Sequence, residues 1–236
     1  MLSRRGWLVL LAALLGAALT ARLGLWQLDR AAQKLALQAA LDAETARPPL
    51  GNADVLDARG LNRRVALRGR WLAAHTVWLD NRPMDGRAGF YVVTPLQLGG
   101  RGDAILVQRG WAPRDPVDPR RLPALAMPSG EVEVPGRLAA APSRLYELGA
   151  GATGPIRQNL DPAAFGAETG LALLPLTIVQ TGAADDGLLR HWPAPDLGLH
   201  KHYGYAFQWF ALCALILILY VWFQLVRPRL RRPARA

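Results

Sequence analysis

The sequence predicts a membrane protein in which two transmembrane α-helices, one near each end, flank a β-rich (α+β) exported domain built as an antiparallel barrel or sandwich. Three observations carry this. Residues Gly6–Leu28 form an apolar run with one internal charge, and Tyr203–Val226 form a second with none. Between them, short stretches of alternating β-branched and polar residues are separated by Gly and Pro.

As a helix, each apolar run would be about 35 Å long, against a hydrocarbon core of about 30 Å. Arg4 and Arg5 precede the first, and Arg227, Arg229, Arg231, Arg232 and Arg235 follow the second. Short basic flanks stay on the cytoplasmic side, so both termini are expected there and residues 29–202 on the outer, periplasmic side, with 227–236 as a basic cytoplasmic tail. The rival reading of the N-terminus is a signal peptide, with Met1–Arg5 as its basic region and Gly16-Ala17-Ala18 offering small residues for cleavage. Against it, the apolar character resumes beyond Arg22 and ends in Leu25-Trp26-Gln27, an interfacial anchor pattern.

The net charge of +10 is explained by this topology. Eight of the 28 Lys and Arg residues lie in or beside the apolar ends, and the other 20 face all 18 acidic residues. The exported part is nearly neutral, which argues against a nucleic-acid partner. The single cysteine, Cys213, falls within the second apolar run and is expected to be a packing residue. An exported domain without cysteines must rely on its apolar core.

Asp29–Ala46 continues the first helix beyond the membrane until Arg47-Pro48-Pro49 stops it. Strands are expected at Val65–Trp71, Thr76–Asp80, Gly89–Leu98, Ala104–Trp111, Glu131–Leu138 and Leu173–Thr181. Turns fall at Asn81-Arg82-Pro83 and Gly99–Gly102. Asp115–Ser129 and Gly149–Pro155 read as loops. Asp161–Gly170 reads as a short helix with Asp161 as cap and Pro162 in its first turn. Leu188–His200 leads the chain back to the membrane.

No enzymatic constellation stands out, so no catalytic residue is assigned. The exported part has two serines, Ser129 and Ser143, both in turn contexts, and Asp185-Asp186 sits in a Gly-rich loop. Neither a nucleophile elbow nor a phosphate-binding loop is present. Of the four histidines, His75, His191, His200 and His202, the last two form an H-x-H pair that His191 can join through a loop. Two ligands do not make a metal site, and interfacial histidines before a membrane helix are the plainer reading.

His202 has more specific company. On a helix, Tyr205 lies three residues on, and Trp209 seven on, within about 20° of His202. Such a stripe can line a large flat ligand, with His202 as an axial metal ligand and the aromatics as walls. The alternative is an ordinary aromatic belt at the membrane surface.

Five ordered blocks carry a resemblance. These are Leu23-Gly24-Leu25-Trp26-Gln27-Leu28-Asp29-Arg30 with Lys34, Leu79-Asp80-Asn81-Arg82, Gly89–Leu96 (GFYVVTPL), Leu106–Pro113 (LVQRGWAP), and His202–Phe210 (HYGYAFQWF). From Gly24 to about Phe223 the chain resembles the surfeit-locus protein 1 family of cytochrome c oxidase assembly factors. The resemblance implies a non-enzymatic role: binding haem a as transient cargo and assisting its insertion into subunit I of an aa3-type oxidase. It implicates His202 and Trp209, with Tyr205 beside them and His202 on the haem iron. Arg30, Lys34 or Lys201 would lie near the propionates. One departure is His200, where the family usually has Asn, which adds a second candidate imidazole.

The implied partners are oxidase subunit I, other oxidase assembly factors and the haem a synthesis machinery, in a bacterial inner membrane. Two other classes stay open: a membrane-anchored scaffold that stabilises an oxidase intermediate without haem, and a membrane-anchored periplasmic hydrolase. For Asn81-Arg82 and Arg109-Gly110-Trp111 the choice is between turn formation with an Arg–carboxylate tie, for example to Asp80, and a docking edge.

Overall fold

In the computed structural model, residues 4–118, 121–146, 153–183, 186–193 and 198–230 are described. The chain forms two compact units, one from residues 1–40 and 195–236 and the other from residues 41–194.

The first unit is a helix pair. α1 runs unbroken over Arg4–Ala46 and stops at Arg47-Pro48-Pro49, as the prolines require. The element order then gives β1 (Arg64–Trp71), β2 (Val77–Leu79), β3 (Gly89–Leu98), β4 (Ala104–Pro113), β5 (Glu131–Ala139), β6 (Ile156–Arg157), α2 (Pro162–Thr169) and β7 (Leu173–Gln180). α3 follows at Leu199–Val221, passes through a π-helical turn at Trp222–Val226, and ends in α4 at Arg227–Leu230. The second apolar helix therefore begins four residues before Tyr203, taking in both His200 and His202. Both apolar helices are long and apolar enough to cross a membrane.

α1 and α3 pack antiparallel, with Gly16 near Ile216, Ala17 near Cys213 and Gly24 against Phe210. A stripe of small residues makes this approach possible: Ala17, Thr20, Gly24 and Ala31 are buried on α1, and Ala206 on α3. Thr20 donates to the carbonyls of Gly16 and Ala17 at 2.8 and 3.0 Å, so its hydroxyl is not left unpaired in the seam. Cys213 is half-buried and its Sγ lies 3.4 Å from the Ala17 carbonyl, in agreement with a packing role. Antiparallel packing also brings the N-terminal end of α1 and the C-terminal end of α3 to the same end of the pair.

The second unit is a closed five-stranded barrel, ordered β1-β5-β7-β4-β3 and shut by pairing of β3 with β1. β2 and β6 extend from the other half of β3. Of the two architectures expected, barrel and sandwich, the barrel is the one adopted. The pairing departs from a purely antiparallel sheet, because β7 inserts between β5 and β4 and runs parallel to β4. The long connection from β4 by way of β5 and α2 provides the crossover that the parallel β4–β7 pair needs. α2 is built as expected: Asp161 accepts from the backbone N–H groups of Ala163 and Ala164, Pro162 opens the helix, and Gly170 closes it at φ 72°.

The barrel interior holds Leu67, Leu96, Leu98, Ile105, Val107, Val134, Leu138 and Ile178. β4 is buried along almost its whole length because both faces are covered. Ile105 and Val107 face the interior, while Leu106 packs outward with Leu79, Leu160 and Phe165 of α2. That double burial explains why its sequence is a continuous apolar run rather than an alternating one.

Candidate functional site

On α3 the buried and half-buried positions are Leu199, His202, Ala206, Trp209, Cys213, Ile216 and Tyr220, a three-four alternation. α1 answers with Ala17, Thr20, Gly24, Gln27, Ala31 and Lys34 at the same spacing. This is the pattern of two helices sharing a continuous seam. His202 and Trp209 are one heptad apart and lie on that stripe. Tyr205 does not: it is 53% exposed, on the flank of the helix. His200, two residues from His202, is about 200° round the helix and exposed, so the H-x-H pair cannot grip one ion.

The decisive contact at His202 is with α1. Its Nδ1 lies 2.7 Å from Gln27 Oε1. An amide oxygen only accepts, so Nδ1 carries the proton and, in the neutral ring, Nε2 keeps its lone pair. An acceptor behind the ring that fixes its tautomer and plane is the arrangement a metal-ligating histidine uses. In the sequence Gln27 stands in an interfacial anchor and in the first block of the family resemblance, without an assigned role at His202. The available signal was an amide at the end of an apolar stripe, facing a histidine at the start of the other.

Cations surround this end of the pair. Arg30 and Lys34 are both within electrostatic reach of the His202 ring, and Arg30 donates to Gln33 at 2.8 Å. Lys34 Nζ also approaches the backbone at Gly198, just ahead of α3, where an added Cβ would meet it at 3.9 Å. Lys201 is exposed on α3.

The remaining sequence candidates lie in the barrel unit. His191 pairs with Asp85 at 2.9 Å, and His75 lines a cavity beside the bidentate Arg157–Glu168 ion pair. Among the described residues no group of three or more His, Cys, Asp or Glu side chains converges on a metal position. Asp185 lies outside the described residues. Ser143 accepts from Arg82, both at Oγ (3.0 Å) and at its carbonyl (2.7 Å).

Arg82, Arg109 and Trp111 are buried at 4, 2 and 0% exposure, so these side chains brace the barrel rather than form a docking edge. The Trp111 indole N–H donates to the Arg82 carbonyl at 2.6 Å, which ties the two motifs together. The carboxylate ties differ from the one expected: Asp80 engages Arg114, while Arg109 pairs with Asp186 at 2.9 Å. Arg82 also lies over the Tyr91 ring at 5.8 Å, and burial pushes the Tyr91 hydroxyl pKa up while that cation opposes the shift.

With this geometry in view, comparison with known proteins gives a consistent answer. Residues 14–214 match the model of the SURF1 family. The chain belongs to the SURF1 family. It is 33% identical over 147 residues to a SURF1-like protein of Drosophila melanogaster, covering 55% of this chain and 47% of that one. A SURF1-like protein of Dictyostelium discoideum is 36% identical over 112 residues, covering 43% of this chain and 41% of the relative. The cytochrome oxidase assembly protein SHY1 of Saccharomyces cerevisiae is 28% identical over 116 residues, covering 46% of this chain and 30% of SHY1. The matched stretches thus span less than half the length of these relatives. The family match takes in α1 from Leu14 onward, the whole barrel and most of α3, so the helix seam belongs to the shared region.

Proposed function

We propose that this SURF1 family member acts in cytochrome oxidase assembly, and that it does so by holding haem a at the outer end of its helix pair for insertion into subunit I. The kinship with SHY1, a cytochrome oxidase assembly protein, supports the first part. The observation that carries the second is the 2.7 Å bond from His202 Nδ1 to Gln27, which leaves Nε2 free to ligate.

The donor set suits the cargo. Haem a supplies an iron that takes an axial imidazole, an apolar ring and tail, and two carboxylates. His202 presents one oriented nitrogen, and Trp209, two turns further along the stripe, offers an aromatic wall within the apolar part of the helix. Tyr205 borders the site from the exposed flank. Arg30, Lys34 and Lys201 lie at the same end as His202, where cations would meet the propionates at the membrane surface. On this reading both termini are cytoplasmic, the barrel is periplasmic, and the partners are oxidase subunit I, further assembly factors and the enzymes that make haem a. The role is that of a carrier and not of an enzyme.

The test is the absorption spectrum of the full chain purified from cells able to make haem a, compared with His202→Ala and His200→Ala. Wild type and His200→Ala should carry haem, and His202→Ala should lose most of it. Haem-free wild type would favour a scaffold that stabilises an oxidase intermediate, and unchanged haem in His202→Ala would remove that residue from the site.

A further inference from the structure

We propose that the barrel carries a second ligand site, an oxyanion pocket built on Arg109 and Arg190. A cavity of about 420 Å³ is lined by these two arginines together with Trp71, Val134, Pro135 and Gln180. The arginine side chains are only 2 and 6% exposed. Both reach the same oxygen of Asp186, at 2.9 and 2.7 Å, so two buried cations share one carboxylate. The other acid at the wall, Glu133, is 54% exposed and is already engaged by Arg68 at 2.9 Å. The described lining thus carries two arginines against two acids, one of which is already engaged by Arg68 outside the wall.

Arg109 is also poorly served by its own protein. One Nη donates to the Ala126 carbonyl at 3.0 Å, but the other meets only the Met127 thioether, a weak acceptor, and the buried Nε has no partner. Burial works against its charge, and Asp186 works for it. The guanidinium lies over the Trp71 ring at 4.8 Å, which holds it in plane without supplying an acceptor. Gln180 Oε1, on the same cavity, is a buried acceptor without a donor.

A buried guanidinium with donors to spare is costly unless an acceptor arrives. A carboxylate or phosphate supplies it, and guanidinium geometry suits either. A hydroxyl on the same group, such as that of a monoprotonated phosphate, would satisfy Gln180. Trp71, Val134 and Pro135 provide an apolar wall for whatever carries the oxyanion. The site lies wholly within the barrel and does not depend on the haem reading.

The experiment is calorimetric titration of the full chain in detergent with inorganic phosphate, butyrate and butyl phosphate, followed in parallel by tryptophan fluorescence. At least one probe should bind saturably at one site, and the tighter of butyrate and butyl phosphate identifies the oxyanion. Arg190→Gln, which removes a charged donor, should weaken binding about tenfold or more. Val132 also lines the cavity, and Val132→Trp, which fills it without altering charge, should do the same; this variant stands as the test if the arginine variant fails to fold. No saturable binding of any probe at millimolar concentration would overturn the proposal. So would binding unaffected by both substitutions, which would mark it as adventitious surface attachment.

Discussion

Replacing Gly69 with alanine drives a methyl group into the seam that closes the barrel. β1 and β3 meet there through only three registered pairs, Gly69↔Leu98, Arg70↔Gln97 and Trp71↔Leu96. A Cβ on Gly69 would sit 2.2 Å from the Gln97 carbonyl oxygen and 3.0 Å from Leu96 Cγ. A carbon and a carbonyl oxygen settle at about 3.3 Å or more, so the strands must part by roughly 1 Å. The obstruction is backbone, which cannot rotate aside as a side chain would. Overpacking costs about 1–3 kcal/mol, and each ladder hydrogen bond weakened by the separation adds about 1 kcal/mol. A loss of about 2–4 kcal/mol in a domain of this size lowers Tm by roughly 5–15 °C. Thermal unfolding of the full chain in detergent measures this, and hydrogen exchange locates it. The β1 and β3 amides at the seam should lose protection first. Gly102→Ala is the control, since nothing lies within 4 Å of its built Cβ, and it should melt close to wild type. If Gly69→Ala also melts with wild type and keeps its amide protection, the barrel is not closed by this seam.

Other outcomes follow from the same structure. Gln27→Leu removes the acceptor that orients His202, and loss of such a partner should weaken haem binding about 10–100-fold in a spectroscopic titration; unchanged affinity would mean another group sets the ring. Gly24→Leu overfills the seam, where a Cβ already falls 2.8 Å from the Phe210 ring, so the helix pair should open and Cys213 should react several-fold faster with a maleimide. An unchanged rate would show that the pair adapts. Arg101 donates to both oxygens of Asp103 and holds that carboxyl below its ordinary pKa. Its stabilising contribution is therefore complete above the unfolded value near 4 and is lost as pH falls through the folded one. The difference in Tm between wild type and Asp103→Asn should shrink as pH is lowered from about 5 to 2, and a constant difference would remove the ion pair as its cause.

The strands were legible where a local signal existed. Gly89–Leu98 is bounded by Gly at both ends, and α2 is announced by Asp161-Pro162 and closed by Gly170. β6 carried no such signal: two residues long, it exists because Ile156 and Arg157 pair with Trp78 and Leu79 at an edge. The insertion of β7 beside β4 was equally hidden, since strand order is decided by non-local packing that a period of two does not encode. At the helix pair, periodicity aligned His202 with Trp209 but also admitted Tyr205. Only the partner helix distinguishes them, because it covers a stripe narrower than the sequence pattern suggests. The arginines were legible in kind but not in partner. For Arg82 and Arg109 a carboxylate tie was expected, with Asp80 as an example; in the fold carbonyls and Ser143 gather around Arg82, and Asp186 with the Ala126 carbonyl around Arg109.

The interleaved order of the strands has a consequence for biosynthesis. β1 leaves the ribosome early but gains its β5 neighbour only after residue 131, and β4 gains β7 only after residue 173. α1 precedes every barrel strand, whereas the helix that supplies His202 follows them all. A chain interrupted before residue 199 would hold every barrel strand and none of the histidine–glutamine lock. On the carrier reading proposed above, competence to take up cargo is thus postponed until the last barrel strand has been made, so a copy cut short there would lack the lock that holds haem.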